Sequence, residues 1–214
     1  MLELGVKMLI AYLLGTLLGS LILGRLRGID IRRMGSGNAG ATNALRTQGK
    51  LFGILVLIID IAKGMVAVWW LPTAVLPAVG IDPALPRGWL TLACGLAVIV
   101  GHVYPVWFSF RGGKGAATVV GVVAALELRL LVPMLLCWFA VLLLTGYVSL
   151  ATMLAGAALI AAVHVLEPNN APLLIFCWLV TAFVIYTHRS NIVRMRSGQE
   201  NRVRRLWLFR SRTV

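Results

Sequence analysis

The stretch Met34-Gly-Ser-Gly-Asn-Ala-Gly-Ala-Thr-Asn43 has glycines at 35, 37 and 40 and so spells G-x-G-x-x-G. Between a strand and a helix of a βαβ unit, that spacing cradles a dinucleotide pyrophosphate, with an acidic residue about 20 positions further on. The flanking sequence decides whether that soluble fold is present. Upstream there is no strand, only an apolar run from about residue 4 to 24 that ends in Arg25, Arg27, Arg32 and Arg33. Downstream, Asp60 falls 20 residues past Gly40, near the expected offset, but inside a second apolar run. The dinucleotide fold is therefore excluded, and the glycines belong to a membrane setting.

Composition agrees. The 214-residue chain is 60% hydrophobic and 13% charged, where soluble domains carry about 25% charge. Its mean hydropathy is +0.91. Several runs reach the ~20 residues that cross a bilayer as a helix, and none shows the alternating polarity of an outer-membrane barrel. The fold expected is all-α, a polytopic integral membrane helical bundle forming one domain over residues 1–214, with 201–214 as a basic cytoplasmic tail. Crossings are expected at 4–24, 51–71, 90–108, 115–127, 130–146, 147–166 and 171–187, seven in all. The segment at 115–127 is short for a full crossing, so five spans plus a re-entrant piece is the alternative. The first run lacks a small-residue cleavage site and is followed by further apolar segments, which favours a retained helix over a signal peptide.

Basic residues set the orientation. Residues 25–50 carry Arg25, Arg27, Arg32, Arg33, Arg46 and Lys50, and the tail from Arg189 is arginine-rich. The 72–89 loop has Arg87 as its single basic residue, and Glu167-Pro-Asn-Asn170 has none. The basic segments face the cytoplasm, and seven crossings put the N-terminus outside. A net charge of +13 then reports orientation and attraction to membrane lipid; nucleic acid is excluded as a partner because no soluble basic module or recognition motif is present. In the tail, Arg202, Arg204, Arg205 and Arg210 alternate with Val203, Leu206, Trp207, Leu208 and Phe209. That suits either an interfacial segment on the inner leaflet or a solvated tail. Cys94, Cys137 and Cys177 lie in apolar runs without metal-ligand spacing, so no disulfide framework, metal or cofactor is expected.

Three polar clusters fall on the cytoplasmic face. In the first, Gly35, Gly37 and Gly40 permit a backbone nest for an anion, Ser36, Asn38, Thr42 and Asn43 add short donors, and Arg46 can grip a phosphate. The second runs from Gly101 to Thr118. It lacks the Ser or Thr that follows the lysine of a Walker A loop, yet Gly112, Gly113 and Gly115 flank Lys114 at the start of a helix, a setting that favours anions. His102 precedes Pro105, and is either held for function or satisfied by carbonyls freed at the proline kink. The third contains His188 and Asn191, three apart and on one face if the helix continues. Asp60 and Lys63 are also three apart within a span and can pair, for function or for structure. His164 and Glu167, near the outer face, look structural. The H-x-x-x-x-D pair of soluble and bitopic glycerolipid acyltransferases is absent.

In order, Ser36-Gly-Asn-Ala-Gly-Ala-Thr-Asn-Ala-Leu-Arg46, Gly101-His102 through Gly112-Gly-Lys-Gly115 to Thr118, and His188-Arg-x-Asn-Ile192 with Arg194, Gly198 and Glu200 resemble the three cytoplasmic motifs of the acyl-phosphate:glycerol-3-phosphate acyltransferases of bacteria, the PlsY type. Asp60-Ile-Ala-Lys-Gly64 resembles that family's D-x-x-K-G segment. Departures are mild: Arg111, Tyr104 and Met195 stand where lysine, phenylalanine and leucine are common. The resemblance implies transfer of a fatty acyl group from acyl phosphate to the 1-hydroxyl of sn-glycerol 3-phosphate, giving lysophosphatidic acid and phosphate, the first acylation of phospholipid synthesis. It implies a multi-pass protein of the bacterial inner membrane, no cofactor, and functional coupling to the enzyme that makes acyl phosphate. Ser36, Lys114, His188 and Asn191 are the expected catalytic residues. Gly37, Asn38, Thr42, Asn43, Arg46, Lys63, His102, Gly112, Gly113, Gly115, Thr118 and Arg189 are expected to bind substrate or phosphate. The general base is either a histidine or the phosphate itself. A small carrier or channel for an anionic metabolite is the alternative.

Overall fold

The structure, a computed structural model, describes residues 1–77, 79–203 and 207–208, and these contain helices and no strands. The chain divides into two compact units, Met1–Glu127 and Leu128–Val214.

The first unit holds α1 (Leu2–Gly15), α2 (Gly19–Leu26), α3 (Ala41–Gln48), α4 (Lys50–Trp69), α5 (Arg87–Val103) and α6 (Ala116–Leu126). Helix α1 packs along α5, and α4 along α6. In the second pair a Cβ on Gly121 would strike the Ile61 carbonyl, and one on Gly64 the Thr118 carbonyl. Small residues let the two backbones meet, the usual means of helix contact where lipid removes the hydrophobic drive.

At one end of this unit a charged cluster ties α1 to the start of α5. Glu3 and Lys7, each 1% exposed, are one turn apart and paired at 2.9 Å. Arg87 grips both Glu3 oxygens at 2.6 and 2.8 Å, and the Lys7 ammonium also donates to the Pro72 carbonyl at 2.8 Å. Charged groups on an apolar helix need such partners.

The second unit holds α7 (Leu131–Thr145), α8 (Val148–Leu166), α9 (Ala171–Thr187) and α10 (Arg189–Arg196). Gly146, at φ +75°, makes the tight turn between α7 and α8, and Thr181 on α9 donates to the Gly156 carbonyl of α8 at 3.2 Å. At the far end Arg129 pairs with Glu167 at 2.8 Å. The described part of the tail returns to the Gly146 turn: the Val203 amide donates to the Gly146 carbonyl at 2.8 Å, and the Trp207 indole to the Leu144 carbonyl at 3.0 Å. The Arg202 guanidinium lies over the Tyr147 and Trp207 rings at 4.5 and 4.3 Å. Residues 204–206 and 209–214 of the expected basic tail lie outside the described residues.

All seven expected segments are helical, but they are not seven continuous crossings. Four are long and apolar enough to span: Lys50–Trp69, Arg87–Phe108, Leu128–Thr145 and Val148–Leu166. The pairs α1–α2, bent by 47°, and α9–α10, bent by 53°, raise this to six if each is one span. The seventh, α6, has 11 residues and at 1.5 Å per residue covers only about 17 Å.

Candidate active site

The first glycine loop is shaped by Asn43, which is 1% exposed. Its Nδ2 donates to the carbonyls of Met34, Asn38 and Ile31 at 2.9, 3.0 and 3.2 Å. Its Oδ1 accepts the Ser36 amide at 3.0 Å. An amide nitrogen has two hydrogens, so three carbonyls saturate it, and the contacts Asn43 makes are with the loop itself. Gly35 and Gly37, at φ +56° and +75°, supply the left-handed backbone the tight loop requires. Ser36, Gly37, Thr42 and Arg46 are exposed and Asn38 half-buried on the loop and the first turns of α3. Thr42 and Arg46, four apart, share a helix face. Asp30 and Arg32 pair at 2.8 Å, and this contact holds the Asp30 carboxyl below the usual aspartate range.

The second glycine loop closes the end of α5. Pro105 cannot continue the helix and leaves carbonyls free; the amides of Gly112 and Gly113 donate to those of Val103 and His102, each at 3.1 Å. Both amides are thus engaged at the end of α5. A Cβ on Gly112 would meet the His102 carbonyl, and one on Gly113 the His102 Nε2. Gly115, at φ +88°, caps the N-terminus of α6, with half-buried Lys114 before it and buried Thr118 in its first turn. Ser109 and Phe110 both have positive φ, 56° and 57°, a local strain of the kind that collects at functional sites. Arg32 joins the two loops, donating to the carbonyls of Phe108 and Arg111 at 3.0 and 3.3 Å.

Beneath these loops lies a buried polar group. Asp60 and Lys63, 0% and 4% exposed, pair at 2.9 Å as their spacing suggested. His102 Nδ1 approaches Asp60 Oδ1 at 3.6 Å, too long for a hydrogen bond. The Nδ1 side of the ring is thus turned toward Asp60. Lys63 also donates to the carbonyls of Gly15 and Leu17 at 2.9 and 3.2 Å. Its ammonium thus ties Asp60 to the break between α1 and α2.

In the second unit His188 and Asn191 sit at the joint of α9 and α10, 5% and 8% exposed. The Val184 carbonyl lies 2.8 Å from His188 Nδ1; since a carbonyl only accepts, Nδ1 carries the proton in that bond and Nε2 is the acceptor of the neutral ring. Asn191 donates to Glu200 at 2.6 Å, as do Arg194 at 2.8 Å and Ser149 at 3.0 Å. Burial pushes the Glu200 carboxyl up, but these three donors outweigh it and hold the group below the usual glutamate range. Arg189 is exposed, its guanidinium 4.4 Å over the Tyr186 ring. Glu200 and Ser149 were not among the expected site residues. Glu200 lies within the third motif, but Ser149 carries no signal beyond being a serine at a helix start.

Helices of membrane-spanning length, with polar chemistry gathered on helix ends and glycine-shaped connections, define a multi-pass integral membrane protein. The chain belongs to the glycerol-3-phosphate acyltransferase family, whose family model matches residues 6–198 and so takes in the first two clusters and the third as far as Gly198. The glycerol-3-phosphate acyltransferase of Aquifex aeolicus is 39% identical over 194 residues, 90% of this chain and 95% of that one. The Bacillus velezensis protein of the same name is 42% identical over 197 residues, 92% and 95%. Among solved structures, PlsY (YgiH), an integral membrane glycerol 3-phosphate acyltransferase, in its glycerol 3-phosphate form aligns with TM-score 0.80 at 36% identity, covering 93% of this chain and 94% of that one. Its lysophosphatidic acid form aligns with TM-score 0.78.

Proposed function

We propose that this protein is a membrane acyltransferase that moves a fatty acyl group from acyl phosphate to the 1-hydroxyl of sn-glycerol 3-phosphate. The hydroxyl oxygen attacks the acyl carbonyl carbon, the bond from that carbon to the phosphate oxygen breaks, and the hydroxyl proton leaves with the phosphate. The products are lysophosphatidic acid and inorganic phosphate. The protein works in the bacterial inner membrane with its N-terminus outside and the three motifs at the cytoplasmic face. The observation that carries this reading is the match to a relative solved in a glycerol 3-phosphate form, over 93% of this chain.

The exposed Ser36, Gly37, Asn38, Thr42 and Arg46 hold the glycerol and its phosphate. Lys114 and Thr118, at the start of α6, hold the phosphate of the donor, where the positive end of the helix adds to the lysine charge. For His188, Asn191 and Arg189 the support is their motif: the first two orient the hydroxyl or stabilise the oxyanion, and the third adds charge. Asn43, Lys63, His102, Gly112, Gly113 and Gly115 shape the loops. Phosphate is a good leaving group and its oxygens can take the proton, so positioning and electrostatics supply most of the acceleration.

Purified protein given acyl phosphate and glycerol 3-phosphate is expected to release lysophosphatidic acid and phosphate in equal amounts. A carrier or channel would form neither product, and that outcome would overturn the proposal.

A further inference from the structure

Helix α1 ends at Gly15 and α2 begins at Gly19, which frees backbone carbonyls and amides inside an apolar pair of helices. Such a break is tolerated where other groups satisfy the backbone, and α4 reaches across to do this. Lys63 takes the carbonyls of Gly15 and Leu17 on one side, while Asp60 Oδ1 accepts the Gly19 amide at 3.3 Å on the other. One ion pair thus caps both ends of the break, with each charge matched to the helix end it faces.

Two lines of contact leave this point. The residue after Gly19 is Ser20, fully buried, whose hydroxyl donates to the Ala39 carbonyl at 2.6 Å and so pins the first glycine loop. On the other side Asp60 faces the His102 ring at 3.6 Å. That ring packs against Gly113, where a Cβ would collide with Nε2, and the His102 carbonyl holds the Gly113 amide at 3.1 Å. Asp60 is therefore one step from each loop. It is 0% exposed, and among the described residues its Oδ2 has no hydrogen-bond partner. Burying a carboxylate this way is costly, and capping one amide would need no charge.

We propose that Asp60 is a positioning residue that fixes the two glycine loops relative to each other, and that it sets the affinity for both phosphate-bearing substrates at once. The inference rests on the proposed acyl transfer, in which each loop handles one substrate. It separates Asp60, which acts on both loops, from Ser20, which acts on one.

The test is steady-state kinetics on the full-length protein in vesicles, with Asp60→Asn, Ser20→Ala and the double variant, varying each substrate in turn. Ser20→Ala is expected to raise KM for glycerol 3-phosphate about tenfold and leave that for acyl phosphate within about twofold; Asp60→Asn should raise both about tenfold, with kcat lowered less than about threefold. In the double variant KM for glycerol 3-phosphate should stay within about twofold of Asp60→Asn alone, the non-additivity of groups on one line of contact. Multiplying effects would overturn the proposal, as would a fall in kcat with both KM values unchanged, the mark of a smaller folded fraction. Should Asp60→Asn not be recovered folded, Lys63→Arg takes its place, with the same pattern at smaller amplitude supporting the proposal and multiplying effects or unchanged KM values refuting it. Wild-type protein that forms no lysophosphatidic acid would overturn the acyl-transfer reading instead, whereas an active wild type with multiplying losses overturns this inference alone.

Discussion

Asn43 shows how far the contacts of a folded residue reach beyond what its place in the sequence suggests. Its type and position in the glycine-rich stretch suggested a donor for substrate, yet its amide binds Met34, Asn38 and Ile31 and its oxygen holds Ser36. Spacing tells which residues are near a loop; it does not tell which nearby carbonyl takes the hydrogen bond. Removing one partner of a buried network leaves the rest unsatisfied, at about 1–3 kcal/mol per group. Asn43→Ala and Asn43→Asp are each expected to lower kcat/KM by about 100-fold, the aspartate because its carboxylate would face three carbonyls; an aspartate variant with full activity would show that the amide is not the organiser. Glu200 was visible only as part of a motif, because its role depends on Asn191, Ser149 and Arg194 meeting at one carboxylate. By contrast the Asp60–Lys63 pair was legible directly, since both partners lie three apart on one helix.

Among the elements, hydropathy located the seven apolar segments and missed the break within the first. The run from 4 to 24 is continuously apolar, but its bend is held by Asp60, 41 positions from Gly19 along the chain, and no local pattern encodes so distant a contact. Glu3 likewise pairs with Lys7 one turn on but finds Arg87 only in the folded chain. Helix α2 leads into the first motif, and α10 carries the middle of the third. The orientation of these elements is tested by single cysteines in a background lacking Cys94, Cys137 and Cys177. With the N-terminus outside, Glu167→Cys is expected to react with a membrane-impermeant maleimide in intact cells, and Gln199→Cys only after permeabilisation. The reverse pattern would invert the proposed topology.

For the whole molecule, the sequence flanking the glycines, with composition in agreement, excluded a soluble dinucleotide enzyme, and the family shown by the match over residues 6–198 is the one the ordered motifs resemble. What the sequence could not supply is the division of labour inside the motifs. The amides of Gly112 and Gly113 close the end of α5, and Ser36, Thr42 and Arg46 are exposed. That arrangement needs no protein nucleophile and no cofactor if the donor already carries phosphate as its leaving group, and this donor choice is the central claim. The decisive measurement is lysophosphatidic acid formation by the purified protein in vesicles, with glycerol 3-phosphate and either acyl phosphate, acyl-CoA or acyl carrier protein thioester as donor. Product from acyl phosphate alone, with one phosphate released per acyl group, is the result expected; product from either thioester without acyl phosphate would contradict the account.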